Sequence, residues 1–186
     1  MSKATTNVKF TYQDYLFLPE DKRYEIIEGE LIMVPSPGFN HQIVSGNLEF
    51  LLRQFVREKK LGIVLDAPMD VILSQENVVQ PDILFICKQR INIITEKNIQ
   101  GAPDLVIEIM SPTTREKDSI LKRKLYAKFG VRELWLVDLE KREIKVFTLK
   151  KANFERAGLY CEDEIFTSPI LPGLKIPLQE VFWKGG

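Results

Sequence analysis

Asp104-Leu105-Val106-Ile107-Glu108-Ile109-Met110 is an apolar run with an acid set inside it. Side chains alternate along a strand, which puts Leu105, Ile107 and Ile109 on one face and Val106, Glu108 and Met110 on the other. A carboxylate in the middle of such a strand is costly to bury unless it is paired, protonated or bound to an ion. Gly101-Ala102-Pro103 and Ser111-Pro112 bracket the run. Upstream, Asp82 opens a second apolar stretch, Ile83-Leu84-Phe85-Ile86-Cys87, immediately after Pro81. Downstream, Thr114 to Phe129 spaces Ile120, Leu121, Leu125 and Phe129 along one side of a helix, and Gly130 suits its C-terminal cap.

Working further outward, residues 11–18 read as a short helix that Thr11 caps and Pro19 ends. Tyr24 to Val34 reads as a hairpin turning at Glu28-Gly29. Asn40 is placed to cap a helix over 41–59, where Ile43, Val44, Leu48, Leu51, Leu52, Phe55 and Val56 recur at three- and four-residue spacing. Further strands are expected at 62–66 and 69–73, while 88–100 is ambiguous. Leu134 to Val137 and Glu143 to Leu149 form a strand pair around a turn at 138–142. A short strand and a Pro-rich close complete the chain. This order predicts an α/β (α+β) fold, a central mixed β-sheet flanked by helices, as a single domain over residues 1–186.

At 186 residues the chain suffices for one well-buried core and is short for two. Its 45% hydrophobic and 28% charged residues are ordinary for a soluble domain. No apolar run approaches the ~18 residues of a membrane span. The first residues, Met1 to Asn7, lack an apolar signal core. The expectation is a soluble, cytoplasmic protein with no membrane association. Cys87 and Cys161 make neither a zinc cluster nor a disulfide framework. Lys plus Arg and Asp plus Glu both number 26. That balance argues against a basic nucleic-acid coat protein but not against a local basic groove. Arg115, Lys117, Lys122, Arg123, Lys124, Lys128 and Arg132 cluster in one stretch, a pattern that a solvated helix face also produces.

If Asp82 and Glu108 meet from two strands at one edge, they offer paired hard oxygen ligands with room for water, as Mg²⁺ prefers. Such an ion activates water and stabilises charge developing on a phosphate. The residues leave other readings open: Asp82 as a turn residue opening a strand, and Glu108 as the partner of an arginine. Asp104 is the poorer partner, because four residues along one strand separate its Cα from that of Glu108 by about 13 Å. Glu25, Glu28 and Asp70 are further acids that turns and edges also explain. His41, the sole histidine, either opens a helix or serves a site. Trp135 is expected in the core, and Arg115, Lys124 and Lys128 at phosphate or in solvent.

In combination, several stretches resemble the Uma-type restriction endonuclease family. They are Gln80-Pro81-Asp82-Ile83, the run from Gly101 to Pro112, Asp118 to Tyr126, and Gly130 to Asp138. Tyr24 to Leu31 and His41-Gln42 resemble it too, so the likeness spans roughly residues 10–180. It implies the PD-(D/E)XK nuclease-like superfamily, a restriction-endonuclease-like fold, and Mg²⁺-dependent hydrolysis of phosphodiester bonds in DNA, with Mn²⁺ as a substitute ion. By position, Asp82 becomes the aspartate of the PD element and Glu108 the next acid, and the backbone carbonyl of Ile109 completes the metal site. The chain departs from the pattern at the expected lysine, where Met110 stands. The resemblance offers Lys122 instead, on a helical stripe with Asp118 and Tyr126. Met110 also favours an alternative, a catalytically inactive nuclease-fold module that binds nucleic acid or a protein partner. A second alternative is an assembly module whose strand acids are neutralised by helix bases. A homodimer is one arrangement that cutting both strands allows.

Overall fold

Local signals set the first elements of the computed structural model, which describes residues 8–19, 21–110 and 117–185, the side chains of 117 and 118 excepted. Thr11 and Asp14 form a reciprocal capping box at α1 (Tyr12–Tyr15). β1 (Arg23–Ile27) and β2 (Glu30–Val34) make the expected hairpin. Its turn residues Glu28 and Gly29 have φ of +53° and +85°, the two positive values that a two-residue turn between twisted strands needs. α2 (Phe39–Lys59) starts earlier than its apolar periodicity shows. Its N-cap is therefore Gly38, and Asn40 lies inside the first turn rather than capping it.

β3 (Gly62–Asp66), β4 (Val71–Ser74), β5 (Asn77–Val79) and β6 (Ile83–Cys87) follow. β4 begins two residues later than expected. β5 is new, its three residues being too few to display alternation. The ambiguous stretch resolves into a 3₁₀ helix at Lys88–Ile93 and β7 (Ile99–Gln100). Next come β8 (Leu105–Met110), α3 (Lys117–Phe129), β9 (Glu133–Asp138), β10 (Glu143–Lys150) and β11 (Asn153–Cys161). β12 (Ile165–Phe166), β13 (Ile176–Pro177) and α4 (Leu178–Val181) end the chain. Gly130, at φ +85°, closes α3 as expected. The Ser111-Pro112 flank, the helix start at Thr114, Arg115 and the side chain of Asp118 lie outside the described residues.

The central sheet has six strands in the order β11-β10-β9-β8-β6-β3. It is mixed, as expected, because β8 and β9 are parallel while the other pairs are antiparallel. A second mixed sheet, β2-β1-β5-β4-β7, was not legible beforehand. One core lies where Val44, Leu48, Leu52 and Val56 of α2 meet Leu105, Ile107 and Ile109 of β8. Each fully buried leucine there contributes roughly 1.5–3 kcal/mol relative to exposure. The opposite core joins Val106 and Leu134 to Leu125 and Tyr126 of α3 and to Ile27, Val71 and Ile99 of the second sheet. Glu108 is on the side of Val106, so it faces α3 and the second sheet. Among the described residues no helix is long and apolar enough to cross a membrane.

Candidate active site

The β6–β8 ladder pairs Ile83 with Ile107, and one rung further the antiparallel register carries Asp82 opposite Glu108. Asp82 Oδ2 accepts the Ile109 amide at 2.7 Å. Its Oδ1 lies 3.2 Å from Nε2 of His41, in the first turn of α2. From the α3 side, Lys122 Nζ reaches the two oxygens of Glu108 at 3.1 and 3.3 Å, and the Tyr126 hydroxyl donates to Glu108 Oε1 at 2.5 Å. Their four-residue spacing makes Lys122 and Tyr126 neighbours on one helix face. Lys122 also donates to Glu25 Oε1 at 2.9 Å, an oxygen that accepts the Gln80 amide at 2.8 Å. These groups line a cavity of about 370 Å³ together with Arg23, Met110 and the 34–38 loop. A smaller cavity of about 130 Å³ adjoins it.

Two carboxylates, Glu25 and Glu108, thus contact the ammonium of Lys122, which is only 16% exposed, and Asp82 adds to the negative field it feels. Burial pushes the Glu108 carboxyl up. The pull of Lys122 opposes this, while Asp82 and Glu25 push the same way as burial, leaving Glu108 at about 7. Burial alone would disfavour the charged form of Lys122, but Glu108 and Glu25 outweigh it and hold its pKa above the ordinary lysine value. Burial and the same carboxylates keep the Tyr126 phenol protonated well beyond its usual range. At neutral pH the site therefore holds a fixed cation, a neutral phenol and a carboxyl near its balance point.

The structure brings together Asp82, Glu108, Ile109 and Lys122. Ile109 meets Asp82 through its amide. Glu25, which turn or edge placement would explain, also belongs to the cluster, and so does His41. Glu28 is exposed on the hairpin turn. Asp70 binds the Tyr15 hydroxyl and the Gln80 side chain and does not line the cavity. Asp104 is fully buried at the far end of β8, between Arg90, Arg132 and the Cys87 amide. Lys124 is exposed, and Trp135 is a core residue donating to Glu133. Arg23 and Gln80 were missed. The two-residue step from Arg23 to Glu25 on one strand was the available signal.

Among the described residues no three His, Cys, Asp or Glu side chains form a ready-made metal cage. The donor chemistry nonetheless suits a hard divalent cation, since Asp82 and Glu108 are oxygen donors facing one cavity. Burial is what chiefly holds the Glu108 carboxyl up, with Asp82 and Glu25 adding to it, and a cation bound beside it would favour its charged form.

No curated protein matches the chain. Among solved structures it is similar to a "putative nuclease belonging to DUF820" from Anabaena variabilis. The TM-score is 0.78 at 22% identity, over 93% of this chain and 97% of that one, a likeness of fold. The model of the family described as "Putative restriction endonuclease" matches residues 11–179. That span takes in Glu25, Asp82, Glu108 and Lys122, and the chain belongs to this family, Uma2.

Proposed function

We propose that the chain is a Mg²⁺-dependent endonuclease of the PD-(D/E)XK type that hydrolyses phosphodiester bonds in DNA. The observation that carries this reading is the ammonium of Lys122 beside Glu108, a lysine delivered by α3 to the carboxylates where Met110 occupies the usual strand position. The family description and the shared fold support it. Asp82, Glu108 and the Ile109 carbonyl would hold the ion, with Mn²⁺ as a substitute. Bound there, the ion would supply Lewis acidity and an activated water. Lys122 stays charged, so it serves as a donor to the attacking water or a phosphate oxygen and not as a base. Glu25 aims Lys122, Tyr126 orients Glu108, and the Ile109 amide fixes Asp82.

The test is metal-dependent cleavage of duplex and single-stranded DNA by wild type, Lys122→Met and Lys124→Met. Loss of Lys122 should lower the rate about 10²- to 10³-fold, whereas loss of the exposed Lys124 should change only weak, salt-dependent affinity. Equal cleavage by Lys122→Met would remove that residue from the mechanism. One observation favours a second reading: both Glu108 oxygens already have protein donors. A catalytically inactive module would show no cleavage under Mg²⁺ or Mn²⁺, with DNA affinity in wild type if its partner is nucleic acid and none if its partner is a protein.

A further inference from the structure

We infer that Arg23 grips the phosphate next to the reacting one, holding the DNA strand across the junction of the two cavities; this rests on the nuclease reading above. Arg23, Pro37, His41 and Asp82 line both cavities and so form the divide between them. The guanidinium is held in place from behind. Its Nε donates to Gln80 Oε1 at 2.8 Å. The Gln80 NH₂ is itself engaged by Asp70 at 2.7 Å and the Tyr15 hydroxyl at 3.1 Å, so the amide cannot turn away. With Nε anchored, the two terminal nitrogens form a fork that matches two oxygens of one phosphate.

The acids nearby are already engaged. Glu25 accepts from Lys122 and the Gln80 amide, and Asp82 from the Ile109 amide. In the smaller cavity Glu49 and Asp66 both pair with Arg53. Among the described residues Arg23 itself makes no ion pair with any of them. Along β1, Arg23 stands two residues from Glu25, about 7 Å, so it is displaced from the Glu25–Lys122 contact toward the smaller cavity. The site then offers two cations in sequence, Lys122 for the reacting phosphate and Arg23 for its neighbour.

The test compares wild type, Arg23→Gln and Arg23→Lys on a DNA oligonucleotide and on p-nitrophenyl thymidine 5′-phosphate, a diester with no neighbouring phosphate. Arg23→Gln should lose about 10- to 100-fold in kcat/KM on the oligonucleotide, mostly through KM, and lose nothing on the small diester. The log–log salt dependence of oligonucleotide binding should become shallower by about one phosphate contact. Arg23→Lys should restore the salt dependence but only part of KM, because lysine lacks the fork. Equal losses on both substrates, or no loss on either, would overturn the assignment. If wild type cleaves neither, the nuclease reading falls, and binding measured by anisotropy decides for Arg23. Equal affinity and salt dependence in wild type and Arg23→Gln would then overturn it; a weaker, less salt-sensitive variant would sustain the phosphate contact.

Discussion

Replacing Glu108 with glutamine should stabilise the protein at alkaline pH and leave it unchanged in acid. In the fold Glu108 titrates at about 7, against 4.5 for an ordinary glutamate. Between those values the unfolded chain has released the proton while the folded chain keeps it. Stability therefore falls as pH rises through this window, and the loss is complete above about pH 7. A tenfold difference in proton affinity corresponds to about 1.4 kcal/mol, so the gap is worth about 3 kcal/mol. Glutamine keeps an oxygen for Tyr126 and Lys122 but carries no charge to bury. Glu108→Gln should melt with wild type near pH 4.5 and above it near pH 8, by roughly 6–12 °C for a chain of this size. Calorimetry across that range supplies the curves, and saturating Mn²⁺ near pH 8 should narrow the gap by stabilising wild type. A difference that does not grow with pH, or a variant less stable than wild type near pH 8, would refute the reasoning. Either result would mean that pairing with Lys122 outweighs burial.

Mg²⁺ or Mn²⁺ at about 100 times its Kd should stabilise wild type by about 2.7 kcal/mol, and Asp82→Asn should lose most of that gain in a thermal-shift titration. Gly62→Ala should cost at least about 1–3 kcal/mol in urea unfolding, because the added Cβ would sit 2.0 Å from the backbone oxygen of Ile86 on the paired strand. Glu133→Ala should lower the urea midpoint further than Glu133→Gln. It strands the Trp135 indole, the Ser168 hydroxyl and the Ile170 amide without their acceptor, at about 1–3 kcal/mol for each donor left buried.

The central sheet was legible because β6, β8, β9 and β10 each carry enough apolar residues for alternation to show. The faces of β8 came out as the alternation requires, with Ile107 toward α2 and Val106 toward α3. β5 and β7 were not legible. With three and two residues they take their shape from the partners they pair with rather than from any period of their own. The carboxylates of the site stood out because an acid in an apolar strand needs a reason. Lys122 came from the family resemblance, and the four-residue stripe it shares with Tyr126 agrees with that placing. Glu25, Arg23 and Gln80 were harder to see, because their roles depend on β1 meeting β5, a long-range pairing that leaves no mark on either segment alone.

Gln80 limits how this protein can be re-engineered. Through one side chain and one amide it joins the hairpin residues Arg23 and Glu25 to Tyr15 of α1 and to Asp70 ahead of β4. A hairpin transplanted from a relative would bring its own cation and acid but find position 80 shaped for the old pair. A chimera that exchanges residues 23–34 should keep its fold through the β1–β2 and β1–β5 pairings and still misaim both charges, unless position 80 and its contacts at 15 and 70 are exchanged with it. The two hairpin charges and the anchor at Gln80 are a single unit of recombination spread over four places in the chain, at 15, 23–34, 70 and 80.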